Sequence, residues 1–66
     1  PMNPIARNQV EGCIFRHLLS KFNDFDKAAD FTFSISEIIV TEIDEKFNGL
    51  TIEDAVEKAL VGKTIG

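Results

Sequence analysis

Apolar residues recur at regular intervals along this chain, and the interval changes partway. From Asn8 to Phe22, Val10, Ile14, Leu18 and Phe22 return every four positions, with Phe15 and Leu19 widening the stripe. A repeat near 3.6 predicts an amphipathic helix, drawn over residues 5–23. Pro4 suits its first turn, where a missing N–H costs nothing, and Asn23-Asp24 suits its end. A polar connector is expected over residues 24–30, with Phe25 folding back on the helix end and an extra turn at Lys27-Ala28-Ala29. Phe31, Phe33 and Ile35 then alternate with Thr32 and Ser34, and a period of two predicts a short strand with one apolar face.

At Ser36 the period returns to about 3.6. Ser36 is read as the cap of a helix with Ile39, Ile43 and Phe47 inward and Ile38 and Val40 flanking, ended by Asn48-Gly49. Thr51 caps a last helix, with Asp54 in the capping-box position and Ile52, Ala55, Val56, Ala59 and Leu60 as its buried stripe, closed by Gly62. The predicted fold is mainly α with one short strand: an N-terminal helix followed by a β-α-α core over residues 31–62, in a single small domain. A lone strand cannot bury its own face, and 66 residues offer little core, so pairing with a second copy is expected.

Composition narrows the functional classes. The chain is 44% hydrophobic and 27% charged, with six Phe and no Trp or Tyr, which is a globular balance without a low-complexity segment. Apolar runs fall far short of the roughly 20 residues of a membrane span, and no secretory leader is evident. Cys13 is the single cysteine, which excludes an intrachain disulfide and favours a cytoplasmic setting. Pro1 ahead of Met2 reads as the scar of a cleaved tag. The net charge of −4 is unevenly spread: residues 37–57 hold Glu37, Glu42, Asp44, Glu45, Glu53, Asp54 and Glu57 against Lys46 alone. Such an acid block repels phosphate backbones, disfavours nucleic acid and suits a basic protein surface.

Chemistry-bearing groups are few. Cys13 and His17 lie four apart on one helix, a spacing that holds two metal ligands, but structural zinc wants four and the chain has no other Cys or His. No metal or cofactor is assigned. The same pair lacks the third group and oxyanion device of a thiol nucleophile. Gly62-Lys63-Thr64 looks like the end of a phosphate-binding loop, yet the glycine that motif requires is replaced by Glu57 within a helix. The carboxylates read as exposed acids, and no enzyme is expected.

The run FTFSISEIIVTEIDEKFNGLTIEDAVEKAL, residues 31–60, resembles the ribbon-helix-helix repressors and antitoxins. The likeness lies in the alternating strand entering Ser36-Glu37 and in Gly49-Leu50-Thr51 opening a helix that ends Ala59-Leu60. It implies a dimer whose core takes Phe31, Phe33, Ile35, Ile39 and Ile43, with Thr32 and Ser34 facing DNA bases and Thr51 and Ile52 offering backbone N–H groups to a phosphate. Asp30, Glu53 and Asp54 depart from the basic character this would need, and the first helix is about two residues shorter than in the family. A weaker resemblance, to acyl carrier proteins, rests on Ser34 ahead of an acidic helix, although Phe33 stands where an Asp is expected.

Two functional readings follow. One is a dimeric regulatory or antitoxin-like module acting by protein–protein interaction and DNA binding. The other is a small acidic helical inhibitor, of the kind phages direct at host proteins, with three helices in a monomeric bundle. In that second reading the acidic face of residues 37–57, with Glu37, Glu42, Asp44 and Glu45, is the binding surface, and residues 31–35 are loop or helix lead-in.

Overall fold

A computed structural model describes residues 2–63 as three helices in the order α1 (Pro4–Phe22), α2 (Phe25–Lys46) and α3 (Ile52–Leu60), with no strand among them. Pro1 and residues 64–66 lie outside the described residues, and with them the tag reading of Pro1 and the Thr64 end of the Gly62-Lys63-Thr64 motif.

The first helix forms much as its pattern requires. Asn3 caps it, its side-chain oxygen accepting the Ala6 N–H at 2.8 Å, and Pro4 occupies the first turn. Val10, Cys13, Ile14 and Leu18 are buried, with Phe15, Leu19 and Phe22 packed at the edge of the core. Asn23 stops the helix in a left-handed conformation, φ 53° and ψ 39°, and its N–H donates to the Leu19 carbonyl at 2.8 Å. Asparagine is one of the few side chains that tolerate this geometry.

The predicted strand does not exist. Asp24 caps a helix at once, accepting the Lys27 N–H at 3.0 Å, and that helix runs 22 residues without a break. The connector over residues 24–30, the strand over 31–35 and the fresh start at Ser36 are all interior to α2, so the β-α-α core is corrected to the last two of three helices. Ser36 is not a cap: it is buried, and its hydroxyl donates to the Thr32 carbonyl one turn earlier at 2.5 Å.

The physical reason lies in the residues that α2 buries. Ala28, Thr32, Ile35, Ser36, Ile39, Val40 and Ile43 form its inward stripe at helical spacing. Ala28, Thr32 and Ser36 are small and lie four apart, a low ridge against which α1 can pack. Two of the three are polar, so a hydrophobicity pattern scores the ridge as surface. Phe33 meanwhile points to solvent, 90% exposed, where an alternating strand would have put it in the core. The aromatic and β-branched residues of FTFSI favour strand locally, and the helical stripe on either side overrides them.

Aromatic contacts lock the hairpin of α1 and α2. Phe22 stacks on Phe31 with centroids 5.8 Å apart, Phe25 meets Phe15 edge-on at 5.1 Å, and the Lys27 ammonium sits 4.9 Å from the Phe22 ring centre. Phe25 does return to α1, as the pattern suggested, but from the first position of a helix.

The C-terminal part follows its signals closely. Phe47 ends α2, Gly49 takes a φ of 101°, and Thr51 caps α3 by accepting the Asp54 N–H at 3.1 Å. Ala55, Val56, Ala59 and Leu60 are buried, with Ile52 at the edge, and Gly62 turns the chain at φ 82°. One core, lined by all three helices, fills the space between them.

Candidate functional site

Placed on this frame, the residues expected to form a DNA-reading ribbon scatter. Thr32 is 8% exposed and faces the core, whereas Ser34 is exposed and its hydroxyl donates to the Asp30 carbonyl at 3.0 Å. Ile35, Ile39 and Ile43 take places in the intrachain core, Phe31 packs at its edge and Phe33 stands in solvent. Thr51 spends its hydroxyl on its own helix, Ile52 leans on the core, and Glu53 and Asp54 make the first turn of α3 acidic. Ser34 is not at the start of a helix, which removes the geometry on which the acyl-carrier likeness rested.

Three local arrangements remain. The first lies along the outer face of α2, where Glu37, Ile38, Thr41, Glu42, Glu45 and Lys46 line a shallow groove of about 390 Å³. Ile38 is 56% exposed at its middle. Helical spacing explains the set, because positions 37, 38, 41 and 45 share one side of the helix.

The acid block does not form a single face. Glu37 pairs with Arg7 of α1, and Glu42 is held between Lys63 at 2.6 Å and Lys46 at 3.7 Å. The hydrogen bond from Lys63 keeps the Glu42 carboxyl below its usual range, against a smaller opposing effect of partial desolvation. Glu53 turns away toward α1. Among the described residues Asp44 and Glu45 at the C-terminal half of α2 form no ion pair, and neither do Asp54 and Glu57 of α3 or Asp24, Asp26 and Asp30 at the other end of α2.

The second arrangement is a groove of about 240 Å³ between α1 and α2, lined by Glu11, Phe15, Ala29, Thr32, Phe33 and Ser36. Among the described residues, Thr32 Oγ1 is the buried side-chain oxygen left without a hydrogen-bond partner. Leaving a buried hydroxyl unpaired costs about 1–3 kcal/mol.

The third is a cluster at the seam of α1 and α3. Cys13 and His17, one turn apart on α1, meet Glu53 from the first turn of α3: the thiol donates to Glu53 Oε1 at 3.4 Å, and His17 Nε2 lies 3.7 Å from Glu53 Oε2. His17 Nδ1 is 2.9 Å from the Cys13 carbonyl oxygen, which can only accept, so the proton is on Nδ1. Burial first, then the Glu53 carboxylate, pushes the Cys13 thiol up to about 11, with Arg16 opposing. A buried thiol held in its protonated form is a poor nucleophile. The spacing of Cys13 and His17 was visible in the sequence; Glu53, forty residues on, was not, because nothing in a linear pattern says which turn of α3 meets α1.

A comparison with models of protein families, with curated proteins and with solved structures finds no match to this chain. Among the described residues, no helix is long and apolar enough to cross a membrane.

Proposed function

We propose that this protein is a small helical binding module whose outer α2 face docks a basic partner protein. The observation that carries the reading is Ile38, an exposed aliphatic side chain set among Glu37, Glu42 and Glu45. An apolar centre with a charged rim is the arrangement in which burial supplies affinity while complementary charge selects the partner and speeds encounter. Lysine-rich or arginine-rich helices fit it best, laying an apolar stripe along Ile38 and Thr41 with cations toward Asp44 and Glu45.

The monomeric bundle is the form proposed, since the argument for a homodimer rested on a ribbon shared between two copies. Nucleic acid is disfavoured by the net charge of −4. A binding role, not an enzymatic one, is supported by the protonated thiol of Cys13 and by carboxylates that lie open to solvent or pair with lysine and arginine. A cytoplasmic setting belongs to the same reading and is supported by the single unpaired cysteine.

The test is an NMR titration of the isotope-labelled protein with a basic amphipathic helical peptide built from lysine and leucine. The expected result is a set of amide shifts concentrated on residues 37–46, fading as salt rises and lost in Ile38→Asp. Shifts spread evenly over all three helices, or equal shifts with an acidic peptide of the same length, would overturn the reading. Light scattering on the same sample reports the mass, with a monomer expected.

A further inference from the structure

We propose that Cys13, His17 and Glu53 form a binding site for a zinc-class divalent cation that ties α3 to α1. The three side chains each direct one ligand atom inward, and these atoms all lie within 4.8 Å of one another. In a tetrahedral zinc centre, bonds of about 2.3 Å to sulfur and about 2.0 Å to nitrogen or oxygen set neighbouring ligand atoms about 3.3–3.6 Å apart. Two of the separations approach that: 3.4 Å from Cys13 Sγ to Glu53 Oε1 and 3.7 Å from His17 Nε2 to the other carboxylate oxygen, Glu53 Oε2, while the Cys13 sulfur lies 3.7 Å from His17 Nδ1. A cation entering the site draws the three ligand atoms together from separations of up to 4.8 Å, a change that side-chain rotation at the seam of α1 and α3 can supply.

The histidine is prepared for this role. Its Nδ1–H is committed to the Cys13 carbonyl at 2.9 Å, which leaves Nε2 as the nitrogen facing the carboxylate. Metal-ligating histidines characteristically donate their other ring N–H to a carbonyl or carboxylate in this way, fixing tautomer and ring orientation. In the neutral ring a lone pair then looks at a negative oxygen, an arrangement that is favourable only with a positive charge between them. A proton can supply that charge, and so can a metal ion.

Charge and valence also match. A divalent cation bound by a thiolate, a carboxylate and a neutral imidazole gives a centre with no net charge. Binding releases the thiol proton to solvent and forms the metal–sulfur bond in its place, with no change of oxidation state. The donor set of one sulfur, one nitrogen and one oxygen suits zinc and cobalt better than magnesium or calcium, which prefer oxygen alone. A cleft of about 260 Å³ lined by Arg16, His17, Ser20 and Glu53 opens over the cluster and leaves room for a water as fourth ligand. Arg16 lines the same cleft and its guanidinium favours the thiolate form of Cys13, the form that binds a metal, while adding a positive charge beside the site.

The consequence is mechanical. The third helix has nine residues, too few to hold itself, and its attachment to α1 would gain a coordinate link at its first turn. Small domains recruit metals for this purpose when their cores are limited.

Cobalt(II) is the probe, because a cobalt–thiolate bond gives a charge-transfer band in the near ultraviolet. Titration of the full chain is expected to raise that band to saturation at an equimolar amount, with zinc displacing the cobalt and raising the unfolding temperature with the logarithm of its excess. Cys13→Ser removes the band. Glu53→Gln, which changes an exposed side chain and leaves the helices intact by circular dichroism, keeps the band but weakens binding by about tenfold or more, and His17→Gln does the same. The proposal is overturned by a native chain that shows no saturable band, or by Glu53→Gln and His17→Gln variants that bind cobalt as tightly as the native chain.

Discussion

The Ser36 hydroxyl donates to the Thr32 carbonyl across one turn of α2, at 2.5 Å and between two buried residues. That bond places both residues in the middle of one helix, at the point where the apolar period changes from two to about 3.6. With it, the faces assigned to Thr32 and Phe33 exchange: the threonine is inside and the phenylalanine is outside.

Replacing Phe33 by Asp is therefore expected to leave stability within about 0.5 kcal/mol of the parent, as for other exposed positions. Ile39→Ala, at a fully buried site, is expected to cost about 2–5 kcal/mol. Urea unfolding of the two variants side by side reads the contrast. A Phe33→Asp chain that unfolds as readily as Ile39→Ala puts the aromatic ring in a core.

Thr32→Val removes an orphaned hydroxyl at nearly constant shape. Stability is expected to rise by about 1 kcal/mol. For a chain of this size that is about 4–8 °C in melting temperature. On a wet sheet face the same change would do little, so calorimetry distinguishes the two placements of this residue.

At the start of α3, Thr51→Ala is expected to cost about 1 kcal/mol through loss of the bond to the Asp54 N–H, and Thr51→Ser to recover most of it. Thermal unfolding followed by circular dichroism measures both.

The pairing of Glu42 with Lys63 sets a pH dependence. Because the folded-state value of Glu42 lies below its ordinary 4.5, the folded state binds this proton less readily than the unfolded chain. Its contribution is present at neutral pH and is lost as pH falls from about the ordinary carboxylate value through the lowered one. Glu42→Gln is expected to flatten that part of the acid limb in a plot of melting temperature against pH, and an unchanged limb would assign the effect to other carboxylates.

Much of the architecture could be read from the chain because its punctuation is chemical. Asn23 tolerates the left-handed turn, Gly49 and Thr51 separate α2 from α3, and the stripes of α1 and α3 have the period of the elements they became. The middle was misread because the small ridge of Ala28, Thr32 and Ser36 conceals a buried stripe in polar residues, while Phe33 advertises a face that is not buried. Asp24 carried a usable signal, an acidic cap with Asp26 in the following turn, but the alternation beginning at Phe31 drew the start of the element six residues after Phe25. The Cys13–His17 pair was legible as spacing alone. Its third member depended on how two helices pack, which local periodicity does not encode. The acid block was legible as charge, but its division among Arg7, Lys63 and the α1–α3 seam was not.

The continuity of α2 through residues 31–35 is the claim on which both the binding face and the packing of α1 depend, and backbone carbon-13 chemical shifts measure it residue by residue. Positive Cα secondary shifts running without interruption from Phe25 to Lys46 are the expected result, with Phe31, Thr32, Phe33, Ser34 and Ile35 no different from their neighbours. Negative shifts confined to those five positions would mark extended backbone and contradict the three-helix account.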